Sequence, residues 1–146
     1  MFEIILVPLD GSKRAEAILP HVEALSHCVG AQLVLLQVIE PVLLPYDPQG
    51  YMPELDTERT EVRRQEASIY LDEVAGRLKQ AGVDVRTRIE EGPVVETILD
   101  LCQVEKPRLI ALASHGRTGL ARAFYGSVTD GILHQCTCPL LVVRSV

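Results

Sequence analysis

The chain contains no tryptophan, and aromatic residues make up only 4% of it, so a packed interior has to be built from aliphatic side chains. No run of lysine or arginine exceeds two residues, and the formal net charge is -6. A surface of that sign repels polyphosphate backbones, which argues against nucleic acid as a partner. Long apolar stretches are missing too. The first apolar run, Ile4 to Leu9, is far too short for an export signal or a membrane span, so no membrane association is expected. Only four cysteines occur, Cys28, Cys102, Cys136 and Cys138. With no signal peptide read ahead of them, reduced thiols in a cytoplasmic protein are the expectation.

What is present is ordinary globular composition: 146 residues, 47% hydrophobic and 23% charged. That length fits one domain over residues 1–146, burying roughly 70% of its unfolded surface. Short continuous apolar runs recur at Ile4–Val7, Leu33–Leu36, Leu109–Leu112 and Leu140–Val143, and Val83–Ile89 alternates apolar with polar. Continuous runs are what a parallel sheet covered on both faces requires. Between them the spacing predicts four helices. Ser12 caps one running to about Val29, with Pro20 inside it as a kink and Gly30 as its stop. A second spans about Glu58 to Ala81. A third opens with Pro93 at its first position and buries Val94, Val95, Ile98 and Cys102. The fourth begins near Ser127 and carries Val128, Ile132, Leu133 and Cys136 inward. Strands and helices alternate, which predicts an α/β fold: a single doubly wound, five-stranded parallel sheet with helices on both faces and right-handed crossovers. Glu40 to Thr57, with four prolines and no period, stands apart as a lid, a partner surface or a mobile loop.

Open α/β sheets bind ligands beyond the carboxyl ends of their strands, where successive crossovers diverge. Two strands end in suitable loops. The first runs into Pro8-Leu9-Asp10-Gly11-Ser12; the fourth runs into Ala113-Ser114-His115-Gly116-Arg117-Thr118-Gly119, with Gly126-Ser127 at the next helix start. Glycine lets a backbone approach phosphate oxygens, and free N–H groups at a helix N-terminus favour an anion. Arg117 and the hydroxyls of Ser114, Thr118 and Ser127 add donors. Asp10 suits a ribose hydroxyl, a base edge or a metal, or else closes a turn with Gly11. Ser127 offers its oxygen either to a phosphate or to its own helix as a cap, with Asp130 as a weak capping-box partner. His115 lacks a triad partner in sequence. The spacing of His134, Cys136 and Cys138 is poor for tetrahedral zinc, and packing is the better reading. Other nucleotide motifs are missing: Gly-x-x-x-x-Gly-Lys-Ser/Thr, a Gly-x-Gly-x-x-Gly after the first strand, a Ser-Gly-Gly loop and His-Ile-Gly-His.

At these residues the chain resembles the universal stress proteins, whose ATP-binding members carry Gly, two residues, Gly, nine residues, then Gly with Ser or Thr. Here Gly116 is followed by nine residues and then Gly126-Ser127; the opening Ile-Leu-Val-Pro-Leu-Asp, the Ser-His-Gly-Arg-Thr-Gly loop and the closing Cys-Pro-Leu-Leu-Val-Val-Arg are similar to the family as well. Ala113 stands where the pattern has its first glycine. A left-handed conformation there would cost an L-residue roughly 1–2 kcal/mol; with negative φ that cost vanishes, and what is left is a methyl that could crowd a phosphate.

The resemblance implies the adenine-nucleotide α-hydrolase-like version of the Rossmann topology, with strand order 3-2-1-4-5. It implies an ATP site, open also to AMP or ADP. Pro8, Leu9, Asp10 and the Val38 backbone line the adenosine, and Leu112, Ala113 and Gly116 flank the ribose and first phosphates. Gly126, Ser127, Val128 and Thr129 hold the outer phosphates with Arg117 near them, and Mg2+ bridges those phosphates. It further implies a homodimer through the edge strand Leu140, Leu141, Val142 and Val143. The expected function is a nucleotide-state signalling module in the stress response. The rivals are a slow ATPase or autophosphorylating protein, and a dimer of the same fold that binds no nucleotide.

Overall fold

The computed structural model of the chain describes residues 3–45, 54–115 and 126–145. Five strands, β1 (Ile4–Leu9), β2 (Gln32–Ile39), β3 (Val85–Glu91), β4 (Leu109–His115) and β5 (Leu140–Ser145), form one parallel sheet in the order β3-β2-β1-β4-β5. Successive strand residues point to opposite faces, so each apolar run feeds two cores. Ile5, Val7, Leu9, Leu33 and Leu35 pack beneath the helices α1 (Leu19–Val29) and α2 (Thr57–Gln80). Leu6, Val34, Leu36, Ile110 and Leu112 pack beneath α3 (Val94–Glu105) and α4 (Ser127–Gln135). The chain winds outward from β1 through β2 to β3, then returns past β1 to β4. The connections leaving the carboxyl ends of β1 and β4 therefore run to opposite faces of the sheet, which opens the crevice expected at such a switch point.

Several boundaries differ from the sequence reading. Ser12 does initiate helical structure, its hydroxyl accepting from the Ala15 N–H at 3.2 Å, but the first turn is a 3-10 helix over Ala15–Ile18. The α-helix proper begins at Leu19, which places Pro20 in its first turn, where no donor is needed, rather than at an internal kink. Pro93 is the cap of α3, in extended conformation, and not its first helical residue. Ile98 and Leu101 are the fully buried residues of that helix, while Val94, Val95 and Cys102 are half-buried. Val83 closes the end of α2, its N–H donating to the Leu78 carbonyl at 3.1 Å, so β3 starts later. It runs on to Glu91 because Val38 and Ile39 of β2 still pair with Glu90 and Glu91. Leu133 is 49% exposed instead of buried, and Thr129 takes the inward place beside Ile132. The ends of the Glu40–Thr57 stretch meet in an antiparallel bridge between Leu43 and Leu55; residues 46–53 lie outside the described residues.

The two sheet edges differ in chemistry. Along β3, Arg86 and Arg88 both reach the Glu105 carboxylate of α3, with contacts of 2.8 and 2.7 Å to one oxygen. Along β5, Leu140, Leu141, Val142 and Val143 are half-buried in the single chain.

Candidate functional site

A cavity of about 300 Å³ lies at the carboxyl ends of β1, β2 and β4, on the face covered by α3 and α4. Pro8, Leu9 and Asp10 enter it from the end of β1, and Val38 from β2. Leu112 and Ala113 come from β4, and Gly126, Ser127, Val128 and Thr129 from the start of α4. Ten of the residues singled out in the sequence are thus brought together. Gly116, Arg117, Thr118, Gly119 and the His115 side chain lie outside the described residues. Three lining residues were assigned only to the core or to no site: Leu36, which shares a face of β2 with Val38, and Val94 and Ile98, one helical turn apart on α3. Their spacing marks a buried face, and an apolar site wall looks the same in sequence.

Ser114 faces the same cavity. It is 2% exposed, and its hydroxyl oxygen is buried with no hydrogen-bond partner. Buried polar groups are almost always paired, so an orphaned hydroxyl in a cavity wall calls for a ligand or an ordered water. Beside it, α4 begins without a side-chain cap. Gly126 is the N-cap, with φ −64° and ψ 162°, and accepts from the Asp130 N–H at 2.9 Å. The Ser127–Asp130 capping box is therefore not formed, and Ser127 is exposed rather than spent as a cap. The first N–H groups of a helix have no partner within it, which leaves this end of α4 suited to an anion.

Asp10 takes the turn role: one carboxylate oxygen accepts from the Ser12 N–H at 2.9 Å and from its hydroxyl at 2.6 Å. The carboxylate nonetheless stays exposed at the cavity mouth. Ala113 needs no left-handed backbone, because the single non-glycine residue of positive φ among those described is Lys106. Its side chain packs with the core on the α1/α2 face, so the penalty attached to losing the first motif glycine does not arise. A bare-glycine cap, free helix N–H groups, a buried hydroxyl and an apolar wall fit a nucleotide; Asp10 is the sole charged residue of the described lining.

The remaining candidates sit elsewhere. His134 Nδ1 lies 2.8 Å from the Asp130 carbonyl, and the Cys138 thiol donates to the Pro107 carbonyl at 3.2 Å. Burial pushes the Cys102 thiol up to about 12, with Cys136 and Cys138 adding to the shift. Among the described residues no three His, Cys, Asp or Glu side chains converge to hold a metal ion. Nor is any described helix long and apolar enough to cross a membrane.

The sequence matches the universal stress protein family over residues 1–144. The chain belongs to that family. Universal stress protein YxiE of Bacillus subtilis is 31% identical over 149 residues, covering 99% of this chain and all of the relative. A universal stress protein structure from Burkholderia pseudomallei superposes with a TM-score of 0.73 at 27% identity, covering 97% of this chain and 96% of that one. A universal stress protein solved in complex with cAMP, at 20% identity and a TM-score of 0.70 over 99% and 98% of the two chains, shares the fold. Membership agrees with the strand order.

Proposed function

We propose that the protein binds an adenine nucleotide, ATP or its lower forms ADP and AMP, in the cavity at the head of β1 and β4. Mg2+ would come with the phosphates, since the described residues supply no metal site of their own. The protein then acts as a homodimeric binding module that reports nucleotide state under stress. The observation that carries this reading is the orphaned Ser114 hydroxyl, buried in the cavity wall next to the uncapped start of α4. Leu36, Val38, Leu112 and Ile98 offer the base an apolar slot, Asp10 stands at the mouth for a ribose hydroxyl, and Gly126 to Thr129 present N–H groups to phosphate. The half-buried apolar β5 edge supports the dimer, because an exposed apolar strand edge needs covering.

Ligand that binds only the native state at about 100 times its dissociation constant adds about 2.7 kcal/mol of stability. Mg-ATP should therefore raise the melting temperature by several degrees, and chromatography of freshly purified, denatured protein should release adenine nucleotide. No shift at millimolar Mg-ATP, together with no released nucleotide, refutes the reading.

A further inference from the structure

Three of the four cysteines gather at the amino end of β4 and β5, the opposite end of the sheet from the cavity. Cys102 lies in the last turn of α3, Cys136 ends α4, and Cys138 precedes β5. All three are half-buried against the same core. Both helices return antiparallel to the parallel strands they connect, so they run parallel to each other. Gly131 lets them touch, since a Cβ there would come 2.9 Å from Val95 Cγ2. Two turns beyond Val95 is Cys102, and beyond Gly131 the helix ends at Cys136. One contact line thus carries both thiols. The Cys136 sulfur stands between the other two: it accepts from the Cys138 N–H at 3.3 Å. Burial first, then that sulfur by its charge and by hydrogen bonding, raises the pKa of Cys102 and of Cys138.

Three thiols that do not converge on one point offer no chelate, whereas a covalent bond needs only two. The surroundings select the pair. The Cys138 thiol already donates to the Pro107 carbonyl at 3.2 Å, and one residue separates it from Cys136, so joining those two closes a tight ring and forfeits that hydrogen bond. Cys102 meets Cys136 from a different helix. We propose that Cys102 and Cys136 are a peroxide-oxidised pair, a modification site that takes up a reversible disulfide between α3 and α4. The Cys136 thiolate, flanked by the exposed Gln135 and Thr137, attacks one oxygen of hydrogen peroxide. The O–O bond breaks, the sulfur becomes a sulfenic acid, and the leaving hydroxide takes a proton to become water. The Cys102 sulfur then displaces the hydroxyl from Cys136, and the Cys102 proton leaves with it as a second water. Two thiols are oxidised to one disulfide and one peroxide is reduced to two waters. Cys102, held protonated, suits the second step, and the Cys136 charge that contributes to holding it so is gone once Cys136 carries the oxygen. Small thiols reverse the bond by exchange. This assignment stands whatever the cavity binds.

The test takes the full-length chain, reduced and freed of reductant, through a small excess of hydrogen peroxide, then alkylation and digestion with trypsin without reduction. Trypsin leaves Cys102 in residues 89–108, because Lys106 precedes Pro107, and leaves Cys136 and Cys138 together in residues 123–144. Mass spectrometry should find these two peptides joined, lighter by two hydrogens than their sum, and separated again by dithiothreitol. Fragmentation should place the joint at Cys136, with Cys138 alkylated. On a denaturing gel without reductant the oxidised protein should run as one chain. Cys138→Ser should form the joint to the wild-type extent. Cys102→Ser should form none and should gain a dimedone adduct at Cys136, the trapped sulfenic acid. The wild-type digest decides the assignment even if a variant folds poorly. A bond internal to residues 123–144, a bond between two chains, or Cys102 alkylated throughout overturns the proposal.

Discussion

Gly126→Val separates ligand binding from folding more cleanly than any other substitution in the cavity. Gly126 has φ −64°, an ordinary value for any L-residue, and a Cβ built on it meets nothing within 4 Å. The open space beside it is the cavity it lines. The cost to the free protein is therefore a poorer helix cap, on the order of 0.5–1 kcal/mol, or a few degrees of melting temperature in a domain of this size. The cost to a nucleotide is larger. Two methyl groups stand where phosphate oxygens would approach the α4 N–H groups, and one charge-assisted hydrogen bond lost is worth about 1.5–3 kcal/mol. Affinity for Mg-ATP should fall at least about tenfold, which corresponds to about 1.4 kcal/mol. Calorimetric titration checks this, after circular dichroism confirms the fold. Leu133→Ala, at an exposed position of the same helix, should bind as wild type does. If folded Gly126→Val also binds with wild-type affinity, the α4 end is not the phosphate site and the reasoning fails.

Three further outcomes follow from the same geometry. Ser114→Ala removes an orphaned hydroxyl, so thermal melting should show the free protein unchanged or slightly stabilised. Nucleotide affinity should still drop by about 0.5–1.5 kcal/mol. Val142→Lys places a charge on the half-buried β5 edge, so sedimentation should report a monomer for the variant and a dimer for the wild type; a monomeric wild type at micromolar concentration refutes the interface. Hydrogen bonding from Arg86, reinforced by Arg88, holds the Glu105 carboxyl below the usual carboxylate range. A depressed folded-state pKa gives stability that is complete above the unfolded value, about 4.3, and is lost as pH falls through the folded value. Denaturant melts at neutral pH should therefore show Glu105→Gln less stable than wild type, with the gap closing below about pH 4. A gap that stays constant with pH would mean that charge is not what the network contributes.

Much of the fold was legible because its signals are local. Four of the strands are continuous apolar runs, and the site loops announce themselves by glycine and hydroxyl residues just past those runs. What the sequence hid depends on partners far along the chain. Leu133 looks as apolar as Ile132, yet only the packing of α4 on α3 decides that Thr129 turns inward in its place. Ser114 was readable as a donor, but not as a donor deprived of every partner, since that follows from what the fold packs around it. Concern over Ala113 had the opposite origin. A motif written in glycines suggests a special backbone, whereas this residue is an ordinary part of β4.

The unlike edges of the sheet carry a consequence for aggregation. A sheet that could extend through both borders would be a unit of open-ended growth, each copy passing an unfilled row of backbone groups to the next. Here the β3 border bears Arg86, Arg88, Glu90 and Glu91, with both arginines committed to carboxylates. An incoming strand would have to strip those charges of water and partners. Growth is thus possible through β5 alone, and a two-fold pairing there uses the same strand of both copies and ends the process at two. Replacing Arg86 and Arg88 together by valine would remove that stop, and light scattering of the concentrated variant should rise with time while the wild type stays constant.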